Sequence, residues 1–223
     1  MGERRKPGTE MRNIIMCGGV YRKWDTPRQL LKINGETIVG RTIRLLEEAG
    51  ETDIAISSNL SAFDALGVPV LKHNNSYETE EYDLCSGHWV DAFYPTEEPT
   101  AYLFGDVVYS PAAIRKIIDT ETEGIEFFAS CPPFAPEYPK PYAEPFAFKV
   151  VDTERFFSAL AEVKRLRAKG VYRREPIAWE LWQAIIGGNP TVISYGSYTA
   201  INDYTCDIDI KEDLQKMGQV VRG

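Results

Sequence analysis

Beyond residue 10, short apolar runs of strand length alternate with longer stretches in which apolar residues recur at helical spacing. Residues 13–17 (NIIMC) run into Gly18-Gly19, the pattern of a central strand that delivers the chain into a tight loop. Residues 37–49 place Val39, Ile43, Leu46 and Ala49 on one helical face, and Gly50 follows where a helix closes in left-handed backbone. Strands are expected at 53–57 and 68–71, and a helix at 80–93, interrupted by Gly87. A buried strand at 100–104 ends in Gly105-Asp106, and Ser110-Pro111 then opens a helix to residue 119, with serine at the N-cap and proline at the first helical position. Further strands are read at 125–131, 145–151 and 191–195, and helices at 153–169, 176–186 and 211–217.

Strand and helix patterns in this alternation predict one three-layer, Rossmann-like α/β domain over residues 11–223, with a mainly parallel sheet, helices on both faces and a cleft over the strands' carboxyl ends. Residues 1–10 carry Gly, Pro and charge without periodicity and read as a mobile arm, with Met11 as an alternative start. The four prolines at 132, 133, 136 and 139 forbid regular pairing, so 132–141 reads as an extended surface loop.

Composition narrows the function. A balance of 25 Lys+Arg against 33 Asp+Glu gives a formal charge of -8, which opposes binding to nucleic acid or an anionic membrane surface. Apolar runs all fall short of the roughly 20 residues that cross a bilayer. The four cysteines, Cys17, Cys85, Cys131 and Cys206, form no C-x-x-C pair and have only two histidines to join them. They read as reduced thiols of a cytoplasmic protein rather than as a zinc site.

The densest chemistry lies in residues 16–31 (MCGGVYRKWDTPRQLL), where a glycine pair follows a strand and Arg22, Lys23 and Arg28 follow the glycines. Glycines let backbone N–H groups approach phosphate oxygens, and the cations can neutralise a triphosphate lying across the loop. Gly18-Gly19, the basic pair, Pro27-Arg28-Gln29-Leu30, Asn34-Gly35 and Arg41-Thr42-Ile43 together resemble the opening signature of the GT-A-fold nucleotidyltransferases. Two positions depart from the family pattern: Val20-Tyr21 stand where another glycine is usual, and Arg28 stands for a lysine.

The resemblance continues in 103–110 (LFGDVVYS), similar to the family's strand ending in a metal-binding aspartate, and in 203–214 (DYTCDIDIKEDL), similar to its acidic C-terminal segment. It implies that Asp106 and Asp209 hold Mg²⁺, with Asp207 as the alternative to Asp209 because alternation puts both on one face. Asp213 is assigned instead to the first turn of the closing helix. By the same resemblance Cys17, Gly18, Gly19, Arg22, Lys23, Arg28, Ser58 and Ser86 bind the nucleotide, and Arg28, Lys23 and Asp106 serve catalysis. Glu144, with Lys140 and Tyr142, and the tryptophans Trp179 and Trp182 are candidates for an acceptor pocket.

The activity so implied is Mg²⁺-dependent transfer of a nucleoside monophosphate from a nucleoside triphosphate to a phosphorylated small acceptor, with release of pyrophosphate. A GT-A glycosyltransferase and a non-catalytic nucleotide-binding module are the alternatives.

Overall fold

The computed structural model describes residues 11–18, 24–73, 89–131, 143–192 and 196–221. The expected arm at 1–10, the proline loop at 132–141 and most of the helix read at 80–93 lie outside these residues.

In chain order the elements are β1 (Arg12–Met16), β2 (Lys32–Ile33), β3 (Glu36–Thr37), α1 (Ile38–Glu48), β4 (Ile54–Ser57), β5 (Val70–Leu71), β6 (Thr100–Phe104), β7 (Val107–Val108), α2 (Pro111–Asp119), β8 (Ile125–Ala129), β9 (Pro145–Val150), α3 (Thr153–Ala168), α4 (Ala178–Ile185), β10 (Thr199–Ala200), β11 (Cys206–Asp207) and α5 (Lys211–Val220). Seven strands form the main sheet in the order β10-β8-β9-β6-β1-β4-β5. β1 pairs in parallel with β4 and β6, β4 with β5, and β10 with β8, whereas β9 runs antiparallel to both its neighbours.

Alternation along each strand divides the core into two layers. Ile15 and Cys17 at β1 and Ala101 and Leu103 of β6 face a cluster completed by α1, α2 and Met217 of α5. Ile14, Met16, Tyr102 and Phe148 face the opposite cluster, built with Phe156 and Leu160 of α3 and Trp179 and Trp182 of α4. Sheet and helices thus form the three layers expected from the sequence.

Local signals set the helix ends. Thr37 caps α1 by accepting from the Gly40 N–H at 3.1 Å, and Gly50, at φ 94°, ends it. Gly50 N–H donates to Glu47 O and Glu51 N–H to Leu46 O, the paired closing bonds that need a left-handed residue. Ser110 caps α2 by accepting from the Ala113 N–H at 2.9 Å, with Pro111 at the first position.

Two regions differ from the sequence reading. Residues 191–192 lie in a turn, closed by Val192 N–H donating to Asn189 O at 3.0 Å and by the Asn189 side chain accepting from Thr191 N–H. Asn189-Pro190 turn chemistry overrides the β-branched pair at 191–192, the rest of the expected strand, 193–195, lies outside the described residues, and the described edge strand is β10, further along. The described end of the 80–93 span is also a turn rather than helix, with Ala92 N–H donating to Trp89 O. Among the described residues, no helix is long and apolar enough to cross a membrane.

Candidate active site

The site is built where the central strands end. At the exit of β1, Cys17 N–H donates to Ser57 O of β4 at 2.9 Å, and Gly105 N–H, just past β6, donates to Met16 O at 3.0 Å. Gly105 has no room for a side chain: a Cβ there would stand 2.6 Å from both Met16 O and the Cys17 sulfur. This close approach presses the turn carrying Asp106 against the end of β1.

A small antiparallel ribbon then brings in the C-terminal acidic segment. β7 pairs with β11, Val107 opposite Asp207 and Val108 opposite Cys206, and Ile208 N–H donates to Asp106 O at 3.1 Å. β11 and the residue after it are thereby zipped against the turn after β6, although some hundred residues separate them in sequence.

Arg28 joins the two. It opens a short 3-10 turn (Arg28–Leu30), in which Leu31 N–H donates back to Arg28 O at 3.0 Å. One terminal nitrogen of its guanidinium meets Asp106 Oδ2 at 2.6 Å; the other meets Asp209 Oδ1 at 2.6 Å and Ile208 O at 2.9 Å. Burial alone would lower the arginine pKa, but the carboxylates of Asp106 and Asp209 outweigh it and raise the pKa above its ordinary value. The guanidinium is therefore a permanent cation.

Glu144, at the entrance to β9, lies on the same side. Carboxylate oxygens of Glu144, Asp207 and Asp209 all lie within 4.8 Å of one another, and Asp106 is not part of this set. Asp207 and Asp209 thus share one face, as alternation requires, with Ile208 between them fully buried.

Asp213 takes the helical role expected of it: its Oδ2 accepts from the Ile210 N–H at 3.1 Å at the start of α5 and from the Asp209 N–H at 3.0 Å. Upstream, Asp203 accepts from the Ser110 hydroxyl at 2.5 Å and from Thr205 N–H at 2.7 Å, and the Thr205 hydroxyl accepts from Ser110 N–H at 3.0 Å. The acidic segment is therefore pinned at both ends, to the start of α2 and to the start of α5.

Cys17 is fully buried, and its thiol pKa is pushed well up by burial and then by the nearby negative charge of Asp106. It remains a neutral thiol at physiological pH and is no nucleophile.

Of the nucleotide-side expectations, Gly18 stands at the β1 exit, while Gly19, Arg22, Lys23 and Ser86 lie outside the described residues, as do Lys140 and Tyr142. Ser58 is fully buried at the end of β4, where its Oγ accepts from Leu60 N–H at 3.2 Å and its own N–H donates to Leu71 O. Trp179 and Trp182, read as acceptor-pocket candidates, are both buried against Phe127, and Trp179 donates its indole N–H to Ala143 O at 3.0 Å. Sequence reasoning placed Glu144 with the acceptor and missed its proximity to Asp207 and Asp209. The one available signal was a carboxylate at the mouth of a strand directly after the proline loop.

Residues 13–182 match the family model of the MobA-like NTP transferase domain. The chain belongs to that family. Solved structures agree with this nucleotidyltransferase assignment in fold. The 2-C-methyl-D-erythritol 4-phosphate cytidylyltransferase of Thermus thermophilus is 14% identical with TM-score 0.58, over 96% of this chain and 100% of that one. The inositol-1-phosphate CTP transferase of T. maritima is 14% identical with TM-score 0.58, over 97% and 98%. The CTP:phosphocholine cytidylyltransferase of Streptococcus pneumoniae is 16% identical with TM-score 0.53, over 95% and 99%. Curated proteins give no sequence match. The MobA-like family assignment favours nucleotidyl transfer over the glycosyltransferase and binding-module alternatives.

Proposed function

We propose that this MobA-like nucleotidyltransferase moves a nucleoside monophosphate from a nucleoside triphosphate to a phosphorylated small acceptor, with Mg²⁺ as cofactor and pyrophosphate as the other product. The observation that carries the reading is the meeting of Arg28, Asp106, Asp207, Asp209 and Glu144 at the strand ends beside Gly18.

The donor set fits the cofactor. Carboxylate oxygens are hard ligands, and three of them within 4.8 Å suit a small divalent cation that takes oxygen donors. Asp209 and Asp207 are the ligands proposed, with Glu144 joining them and Asp106 completing the acidic wall across the Arg28 guanidinium. When bound, Mg²⁺ supplies neutralisation of phosphate charge and alignment of the reacting groups.

Arg28 would grip the triphosphate, its planar fork matched to phosphate oxygens, and stabilise charge that grows on the α-phosphate and the departing pyrophosphate. Gly18 and Gly19 would offer backbone N–H groups at the β1 exit, and Arg22 and Lys23 further positive charge. Ser58 and Ser86 are proposed on the nucleoside side. The acceptor needs no protein base, because a phosphate monoester with a second pKa of about 6 is already anionic at neutral pH. A neutral, buried Cys17 beside the site agrees with that economy.

The test is to incubate the full chain with each of the four common nucleoside triphosphates and Mg²⁺, reading the melting temperature, and then to assay pyrophosphate release with a panel of phosphorylated sugars, polyols and phosphocholine. A Mg²⁺-dependent rise in melting temperature with one or more triphosphates, followed by pyrophosphate release with an acceptor, is expected. No stabilisation by any of the four would overturn the reading.

A further inference from the structure

Resting on the site reading just given, we infer that Arg28 has a second role as an internal competitor for the metal: its guanidinium holds Asp106 and Asp209 until a divalent cation with its triphosphate takes over the carboxylate and the guanidinium passes to the phosphates. Asp209 is claimed twice. Its Oδ1 lies 2.6 Å from Arg28, and its carboxylate also belongs to the trio with Glu144 and Asp207. A cation bound by that trio and a guanidinium at ion-pair distance would draw on the same carboxylate, that of Asp209, and repel each other.

The local build favours exchange over a fixed pair. The Arg28 backbone is held in its 3-10 turn by the Leu31 N–H, so the guanidinium can change partners by side-chain rotation alone. The Asp209 side chain is 44% exposed against 20% for Asp106, so Asp209 is the more open of the two to an arriving ion. The two terminal nitrogens reach two different carboxylates, a span that the planar fork of arginine supplies and a single ammonium does not. The exchange also explains how one residue can serve acids and phosphates: the cation frees the guanidinium at the moment a polyphosphate arrives to receive it.

The experiment titrates Mn²⁺ alone, without nucleotide, into the full-length wild-type chain, Arg28→Ala and Arg28→Lys, with binding read by electron paramagnetic resonance and folding checked by melting temperature. Mn²⁺ should bind about tenfold more tightly to Arg28→Ala, a size typical of coupled sites. Arg28→Lys keeps the charge but loses the fork and should also tighten binding, by about fivefold on the same reasoning. Triphosphate affinity should move the opposite way in both variants.

Unchanged or weaker Mn²⁺ binding in a folded Arg28→Ala chain overturns the exchange. Tighter binding in Arg28→Ala but wild-type binding in Arg28→Lys also overturns it, since bulk charge would then account for the effect. Should Arg28→Ala not fold, Arg28→Lys decides alone. Pyrophosphate release by the wild type with no shift in Mn²⁺ affinity leaves the proposed function standing and the exchange refuted; the reverse pattern refutes the function and leaves the exchange.

Discussion

Glu180 and Asp209 each accept from an arginine, at 2.7 and 2.6 Å, yet they stand in opposite situations. Glu180 is buried at the start of α4, where one oxygen takes the Arg174 guanidinium and the other takes the Ile177 N–H at 2.9 Å. One cation faces one anion there, and the pair closes the end of a helix. Asp209 shares its arginine with Asp106, stands within 4.8 Å of Asp207 and Glu144, and is nearly half exposed. Among the described residues, the second arrangement gathers several carboxylates near one guanidinium. A balanced buried pair suits folding, and an acid-rich, open cluster suits the cation binding proposed above.

Neutralising the carboxylates on each side one at a time tests that contrast most severely. Asp209→Asn and Asp106→Asn should each lower kcat for pyrophosphate release by about a hundredfold to a thousandfold, as loss of a preorganised charge at a reacting centre does. Melting temperature should fall less in Asp209→Asn than in Glu180→Gln, because the Asp209 side chain is 44% exposed and that of Glu180 6%. Glu180→Gln should cost about 1–3 kcal/mol of stability, as for a buried hydrogen-bond partner left unmatched, while kcat stays put. Wild-type turnover in Asp106→Asn would remove that residue from the mechanism, and a large kcat loss in Glu180→Gln would erase the distinction.

Next in size is Arg28→Ala. Charge-assisted hydrogen bonds contribute about 1.5–3 kcal/mol, so the triphosphate dissociation constant should rise roughly 10- to 100-fold. An unchanged constant by calorimetry would confine Arg28 to the acidic side of the site. Gly105→Ala probes the frame instead: a methyl group 2.6 Å from Met16 O must push the Asp106 turn away from β1, at a cost of about 1–3 kcal/mol. Its chemical denaturation midpoint should fall, and turnover with it.

Much of this was legible in the residues, for reasons that differ by region. Helix ends written in local code were readable to the residue: Ser110-Pro111 opens α2 and Gly50 closes α1 as expected. The long strands were visible as apolar runs because both sheet faces are covered. The two-residue strands β7 and β11 were not visible, since so short a ladder carries no periodicity, yet they are what bring Asp106 beside Asp209. The order of glycines, cations and aspartates pointed to convergence without giving its route. Glu144 escaped for a related reason: its position depends on β9 running antiparallel beside β6, a pairing that the sequence pattern of a buried strand does not distinguish from a parallel one.

The smallest predicted effect concerns the alkaline limb of stability, where the charge of the site reaches into the core behind it. Cys17 has its pKa pushed well above the ordinary 9.0, by burial first and by Asp106 second; Tyr109, also fully buried, is pushed well above 10.0 by burial and then by the same aspartate. Both groups are neutral when folded and lose their protons more readily when unfolded. Between those limits the unfolded chain binds fewer protons than the native one, so stability is intact below about pH 9 and declines as pH rises, by up to about 1.4 kcal/mol per pH unit for each group. Cys17→Ala should therefore flatten the decline between pH 9 and 10, where the thiol dominates, and leave the part above pH 10 to Tyr109 and to Tyr102 and Tyr172, whose phenol pKa values burial also raises. Denaturant midpoints measured across that range in wild type and variant make the comparison; parallel curves would show that the thiol is not held neutral beside Asp106.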